Sequence, residues 1–229
     1  MTILYTNGCS YTANNDVERE FRYPHLIGKH FNWQVEDKAV PGFCNSIIIR
    51  RAMRDCIRLL ATGEPIVAMV QLTHQDRFEF AGTPTVENAW KYNLSRDNLH
   101  INPQINDYFE SVRAEDVNTW PTDIKDYAKQ TVLAQRESAV NSNFLHWTVG
   151  LSSFFKANNI RYLIYAGPSF ALERLSIDPF YQYLSTDPNV LNLETFDILS
   201  TAGIPGRHPD RNGMQKIANH FIKLLEKSL

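Results

Sequence analysis

Two residues near opposite ends of this chain carry side chains that could together perform acyl transfer. Ser10 follows a strand-like run at residues 2–6, and His208 precedes the last predicted helix. A serine hydroxyl is a weak nucleophile unless a nearby base takes its proton. Histidine commonly supplies that base, because an imidazole titrates near neutral pH. The pair therefore predicts a Ser-His nucleophilic site, which requires a fold that brings the two ends of the chain together.

The other chemistry-bearing residues predict neither a metal ion nor a cofactor. The remaining histidines are scattered, without His-x-His or His-Glu-x-x-His spacing, and no phosphate-binding glycine loop occurs. The three cysteines, Cys9, Cys44 and Cys56, cannot all pair, which favours a reducing compartment. Cys9 is an alternative nucleophile, although its side chain should point away from that of Ser10. We expect Cys44 and Cys56 to pack in the core.

Composition and charge exclude several classes of function. The chain has 229 residues, 43% hydrophobic and 21% charged, as in an ordinary soluble domain. A net charge of −2 provides no basic surface for nucleic acid and no attraction to anionic membranes. There is no signal-peptide pattern and no run of roughly 18 apolar residues to span a membrane. We expect a cytoplasmic protein, or one in the host cytoplasm if viral; composition specifies no oligomeric state.

Alternating strand-like and helix-like stretches predict the scaffold for this chemistry. Strands or extended segments are predicted at residues 2–6, 34–40, 66–70, 161–166 and 190–193. Helices are predicted at residues 23–31, 45–60 and 214–225, the second capped by Asn45 or Ser46. This order indicates a three-layer α/β/α sandwich with a parallel, flavodoxin-like sheet of about five strands. Ligands bind such sheets at the carboxyl ends of the strands.

A long interval separates the third and fourth predicted strands, from Thr73 to Asn159. A simple crossover unit needs only about 30 residues. Residues 123–155 read as helical, and residues 82–121 are polar and aromatic. We therefore expect a helical or irregular insertion after the third strand, within a single domain. It is either a lid over the substrate or a surface elaboration with its own small core.

Three blocks of the sequence resemble the SGNH/GDSL hydrolase family. They are Gly8-Cys9-Ser10, a block around Gly42 at residues 39–46, and a block around His208 at residues 207–218. The resemblance covers both ends of the chain but not the insertion. It implies that Ser10 attacks an acyl carbonyl while His208 takes its proton. The backbone N–H groups of Ser10 and Gly42 would stabilise the oxyanion, and no cofactor would be needed.

The chain departs from the family pattern at three positions. Cys9 stands where the family has aspartate, and Thr73 where it has an oxyanion-binding asparagine; the Thr73 hydroxyl would donate instead. Pro205 occupies the place of the aspartate three residues before the histidine. Next to Thr73, His74 either lines the site or belongs to a local polar network. The sequence therefore predicts a Ser-His dyad rather than a full triad.

Other acidic residues near the histidine block have alternative interpretations. Asp210 is best explained as an N-cap or first-turn acid of the final helix. Asp197 and Glu194 follow the last predicted strand and could reach His208 through a turn.

The resemblance implies a serine esterase that removes a small, acetyl-like acyl group from a carbohydrate or similar small-molecule ester. Two alternatives stay open. A catalytically degenerate protein could keep the fold as a binding or structural module, as in divergent phage-encoded relatives. An acyltransferase would share the first half-reaction and differ only in whether water or an alcohol accepts the acyl group.

Overall fold

The computed structural model describes residues 1–41, 43–73, 77–82, 108–113, 137–166, 178–191 and 208–228. Its strands are β1 (Ile3–Asn7), β2 (Gln34–Asp37), β3 (Ile66–Leu72), β4 (Arg77–Gly82), β5 (Tyr108–Arg113), β6 (Arg161–Ala166) and β7 (Val190–Leu191). Its helices are α1 (Ser10–Ala13), α2 (Tyr23–Phe31), α3 (Asn45–Leu60), α4 (Glu137–Ala157), α5 (Pro179–Ser185) and α6 (Arg211–Ser228), with a 3-10 turn at Arg19–Phe21.

Five strands form one parallel sheet in the order β2-β1-β3-β6-β7. This order confirms the predicted flavodoxin-like arrangement. Strand β1 pairs with β2 on one side and with β3 on the other, where Asn7 lies opposite Val70. The residues that follow β1 and β3 therefore emerge next to each other at the carboxyl edge of the sheet.

Helices cover both faces of this sheet. On one face, Tyr5, Val70 and Ile164 pack in a core with residues of α3, α4 and α5. On the other face, Leu4 and Met69 pack with residues of α2 and α6. Because the central strands are buried on both sides, their sequences are mainly apolar, as in residues 66–70 of β3, rather than alternating. The three-layer sandwich is confirmed.

The described part of the predicted insertion contains an element that the sequence analysis did not include. Strands β4 and β5 form a separate two-stranded antiparallel sheet, with Arg77 opposite Arg113 and Gly82 opposite Tyr108. The insertion is therefore not wholly helical or irregular. Helix α4 agrees with the predicted helical stretch from Glu137 onward. Most of residues 82–121 lie outside the described residues, and the lid stays a prediction.

Most predicted helices and strands are confirmed, but the predicted cap of α3 and the number of short helices differ from the structure. Helix α3 begins at Asn45, but its N-cap residue is Cys44, which makes no side-chain capping bond. The expected cap by Asn45 or Ser46 is wrong. The short helices α1 and α5 were not predicted. Within the described ranges, no helix is long and apolar enough to cross a membrane.

Candidate active site

A tight turn at the end of β1 presents Ser10. Strand β1 ends at Asn7, and α1 begins at Ser10, which is half-buried. The carbonyl of Cys9 accepts hydrogen bonds from the N–H groups of Thr12 and Ala13, at 3.0 Å each. Ser10 therefore occupies the first helical position, at the carboxyl edge of the sheet where we expected it.

Only glycine fits immediately before this turn. A Cβ atom on Gly8 would lie 2.6 Å from Thr12 Oγ1 and 2.7 Å from Gln71 Cβ. Real Cβ atoms do not approach so closely, so any other residue would displace the turn or the end of β3. The close approach lets the backbone before Ser10 pack directly against the neighbouring strand.

The side chain of Cys9 is turned into the protein. Cys9 is 2% exposed, and Gln71 Nε2 donates a hydrogen bond to its sulfur over 3.2 Å. Its burial, against the partial exposure of Ser10, agrees with the expectation that the two side chains point in different directions. Gln71 Oε1 accepts a hydrogen bond from Thr12 Oγ1 at 2.6 Å. One glutamine thus ties together both ends of the turn that carries Ser10.

Two buried tyrosines extend this network across the edge of the sheet. The Tyr23 hydroxyl lies 2.7 Å from Thr12 Oγ1 and 2.5 Å from the Tyr165 hydroxyl. Because Thr12 donates its single proton to Gln71, Tyr23 must donate to Thr12 and Tyr165 to Tyr23. Burial, with the neighbouring Tyr165 hydroxyl next in importance, raises the pKa of Tyr23 well above its usual value. The network is therefore neutral and all its hydroxyl groups are hydrogen-bonded.

His208 is docked on the segment that follows Ser10, although 192 residues separate it from its partner Asp16. His208 Nδ1 lies 3.1 Å from Asp16 Oδ2. The imidazole ring packs edge-on against the ring of Tyr11, with 5.2 Å between centroids. Asn14 Nδ2 donates to the carbonyl of Pro209 at 2.6 Å. The fold thus brings the predicted base to the segment that contains the predicted nucleophile.

The two predicted catalytic side chains are not hydrogen-bonded to each other. Among the residues that the structure describes, Ser10 Oγ makes no hydrogen bond, and the ring of His208 bonds to Asp16. Catalytic hydrogen bonds are often long in unliganded enzymes and tighten when substrate binds. The Ser10–His208 hydrogen bond therefore stays a prediction.

Thr73 is held rigidly at the end of β3 by Asn45. Its N–H donates to Asn45 Oδ1 at 2.7 Å, and its carbonyl accepts from Asn45 Nδ2 at 2.9 Å. Thr73 is 1% exposed, and its hydroxyl oxygen has no hydrogen-bond partner within the described part of the chain. A buried hydroxyl without a partner is uncommon in proteins and calls for an explanation.

The remaining predicted site residues divide into two groups. Gly42, His74, Asp197, Glu194 and Pro205 lie outside the described residues, so their expected roles stay predictions. Asp210 is described, and its Oδ1 accepts a hydrogen bond from the N–H of Gly213 at 2.8 Å. This contact confirms its interpretation as the N-cap of α6.

Among the described residues that contact His208, Asp16 is one that sequence reasoning missed. It lies in the turn after α1, and Asn14, which precedes it, has a positive φ of 26°. The path of such a turn cannot be read from a hydrophobic pattern. The available signal was an acidic residue six positions after the candidate nucleophile.

The other two cysteines are core residues, as expected. Cys44 and Cys56 are buried thiols of the core. Burial raises the pKa of the Cys56 thiol to about 12, and the neighbouring Asp55 carboxylate adds to the effect. Within the described ranges, no group of three or more histidine, cysteine, aspartate or glutamate side chains could hold a metal ion.

A mainly apolar pocket of about 90 Å³ opens at the same edge of the sheet. It includes Leu72, the last residue of β3, and Ala166, the last residue of β6. Helices α4 and α5 form its other wall. Its remaining lining residues are Phe144, Leu145, Thr148, Ile164, Tyr165, Tyr181, Leu184, Ser185, Val190 and Leu191.

Comparison with solved structures shows the same fold in hydrolases of very different sequence. A member of the lipolytic protein G-D-S-L family from Veillonella parvula superposes with a TM-score of 0.50 at 10% identity, covering 99% of this chain and 100% of its own. The structure of TesA superposes with a TM-score of 0.54 at 11% identity and full coverage of both chains. No protein-family model and no curated protein matches the sequence.

Proposed function

Because the chain has the fold of the SGNH/GDSL hydrolases, we propose that it is a serine esterase whose nucleophile is Ser10 and whose base is His208. The observation that carries this proposal is the packing of the His208 ring against Tyr11, the residue next to Ser10. His208, from the far end of the chain, packs against the neighbour of a serine that lies at the carboxyl edge of a parallel sheet, where ligands bind.

The proposed reaction has two steps. Ser10 Oγ bonds to the acyl carbon while His208 Nε2 takes the hydroxyl proton, giving a tetrahedral oxyanion. The ester C–O bond then breaks, and Nε2 returns the proton to the leaving alcohol. In the second step Nε2 takes a proton from water, whose oxygen attacks the acyl carbon. Collapse of this second intermediate breaks the bond to Ser10 Oγ, which regains the proton, and releases a carboxylic acid.

Three donors are proposed for the oxyanion. They are the backbone N–H groups of Ser10 and Gly42 and the side-chain hydroxyl of Thr73. Within the described part of the chain the Thr73 hydroxyl has no hydrogen-bond partner, which supports this role because an oxyanion donor keeps its proton available for the transition state. The two hydrogen bonds from Asn45 keep the backbone of Thr73 in one place, as such a donor requires.

The apolar pocket supports a small, uncharged acyl group. Its lining includes Leu72, which precedes Thr73 in the chain. The pocket has a volume of about 90 Å³, enough for several non-hydrogen atoms. We therefore propose an acetyl-like or similarly short acyl ester. A carbohydrate or other polar molecule is the proposed alcohol.

The test is ester cleavage by the Ser10→Ala variant. We expect the wild-type protein to cleave short-chain nitrophenyl esters and Ser10→Ala to lose that activity. The midpoint of urea denaturation should be the same for both proteins, which shows that the variant is folded. Full activity in Ser10→Ala would overturn the proposal. Adding alcohols to the assay distinguishes a transferase, which would form new esters instead of free acid.

A binding protein with the same fold is the second candidate. It is favoured by the lack of a hydrogen bond from Ser10 Oγ among the described residues. Such a protein would show no Ser10-dependent cleavage of any ester, although it would still bind a short acyl ester or its alcohol.

A further inference from the structure

The ring of His208 is held by a carboxylate from an unexpected part of the chain. The family pattern places an aspartate three residues before the histidine, but this chain has Pro205 there. Instead, Asp16 Oδ2 lies 3.1 Å from His208 Nδ1. A carboxylate accepts hydrogen bonds and does not donate them, so Nδ1 carries the proton. In the neutral ring, Nε2 then carries the lone pair that can accept the serine proton.

We propose that Asp16 is the positioning residue of His208, fixing the tautomer and the direction of the imidazole from the turn after the nucleophile helix. The inference rests on the proposed function, since it gives His208 the role of base. It makes the site a triad in which Ser10 and Asp16 come from one segment of the chain, six residues apart.

Two further contacts hold the histidine from the same segment. The Tyr11 ring packs edge-on against the imidazole, with 5.2 Å between centroids, and Asn14 Nδ2 donates to the carbonyl of Pro209 at 2.6 Å. Asn14 is 0% exposed, so this second hydrogen bond is shielded from water. The backbone that follows His208 is therefore held in place. The remaining role for Asp16 is to set the rotation of the imidazole ring.

The exposure of the pair indicates what it contributes. The side chain of Asp16 is 77% exposed and that of His208 is 33% exposed. Exposed ion pairs contribute little to stability. We therefore expect the loss of Asp16 to affect turnover rather than folding. The expected loss is about 10- to 100-fold in kcat, below the roughly 10⁴-fold of a buried triad carboxylate, because water can partly replace Asp16.

The experiment compares Asp16→Ala and Asp16→Glu with Glu18→Gln. Glu18 is a matched control, because it is an exposed carboxylate on the same segment that pairs with Arg211 rather than with the histidine. Two quantities are measured for each protein: kcat and KM on a short-chain nitrophenyl ester, and the tautomer of His208 from its ring ¹⁵N chemical shifts. The second measurement needs no turnover.

We expect Asp16→Ala to lower kcat with KM unchanged and to shift the neutral ring from the Nδ1–H to the Nε2–H tautomer. Asp16→Glu should recover part of both, and Glu18→Gln should match the wild type. Wild-type kcat together with an unchanged tautomer in Asp16→Ala would overturn the inference. If the wild type shows no Ser10-dependent activity, the proposed function fails, and the tautomer alone decides: a shift confined to Asp16→Ala supports positioning, and no shift overturns it.

Discussion

The side chain of Asn45 hydrogen-bonds to both backbone polar groups of Thr73: its Oδ1 accepts from the Thr73 N–H at 2.7 Å, and its Nδ2 donates to the Thr73 carbonyl at 2.9 Å. Asn45 is the first residue of α3, and Thr73 follows the last residue of β3. One buried amide therefore fixes the end of a central strand against the start of a helix. This contact places the proposed oxyanion donor.

Replacing Asn45 by alanine should destabilise the protein. Two buried hydrogen bonds are lost, and the Thr73 N–H and carbonyl are left without partners, which costs about 2–4 kcal/mol. Urea denaturation measures the change in the free energy of unfolding. Asn219→Ala is the control, since Asn219 is exposed and its side chain accepts a hydrogen bond from Gln215 in the same helix. Equal stability of the two variants would contradict this account of Asn45.

Replacing Thr73 by valine should separate stability from activity. Valine has nearly the same shape but removes the unpartnered hydroxyl, so stability should be unchanged or higher. Loss of an oxyanion donor should lower kcat by about 100-fold. Thr73→Ser keeps the hydroxyl and should retain most of the activity. Wild-type kcat in Thr73→Val would show that Thr73 does not bind the oxyanion.

The two glycines Gly8 and Gly150 should respond oppositely to alanine. In Gly8→Ala the new Cβ would lie 2.6 Å from Thr12 Oγ1, so the turn must shift, at a cost of about 1–3 kcal/mol. In Gly150→Ala the Cβ meets nothing within 4 Å, and alanine should stabilise α4 by up to about 1 kcal/mol. Thermal unfolding of both variants tests the pair. A stabilised Gly8→Ala would exclude the close packing of this turn.

Acid should weaken the protein partly through Asp187, which is 4% exposed. Burial alone would raise the pKa of Asp187, but hydrogen bonds from Lys156 and Tyr162 and from the backbone N–H of Asn189 outweigh it, so the pKa lies below its usual value. A lowered carboxyl pKa means stability that is present above the unfolded-state pKa, about 4, and is lost as pH falls through the folded-state pKa. Asp187→Asn should thus be less stable than the wild type at pH 7, by about 1–3 kcal/mol.

The difference between Asp187→Asn and the wild type should shrink as the pH is lowered below about 4. Urea denaturation at a series of pH values measures it. Asp178→Asn is the control, because Asp178 is a half-buried carboxylate that caps α5 by accepting from the N–H of Phe180 and lacks these partners. A difference that is constant with pH would exclude Asp187 as the titrating group.

The sheet could be predicted because its physics is local in sequence. Buried parallel strands are mainly apolar on both faces, and residues 66–70 of β3 and 162–166 of β6 form apolar runs. The buried apolar residues of α3 likewise recur at helical spacing. The alternation of strands and helices predicts a parallel sheet with helices on both faces. The antiparallel pair β4–β5 was missed because its two segments are short and lie far apart in the chain.

The site could be predicted only in part, because polar contacts leave no periodic signal. Ser10 and His208 are predicted from the order of the sequence blocks, but nothing in the sequence shows that Gln71 bonds to both Cys9 and Thr12. Asn45 looked like a helix cap because asparagine often caps helices, yet its amide bonds across the core instead. Asp16 was overlooked because its partner lies 192 residues away.

Covalent labelling with a fluorophosphonate tests most directly whether Ser10 is an activated nucleophile. The labelled protein is measured by intact mass and then mapped by peptide mass spectrometry. We predict one adduct, on Ser10, that is absent in Ser10→Ala and forms much more slowly in His208→Asn. An adduct on any other residue, or none in a folded wild-type protein, would contradict the account.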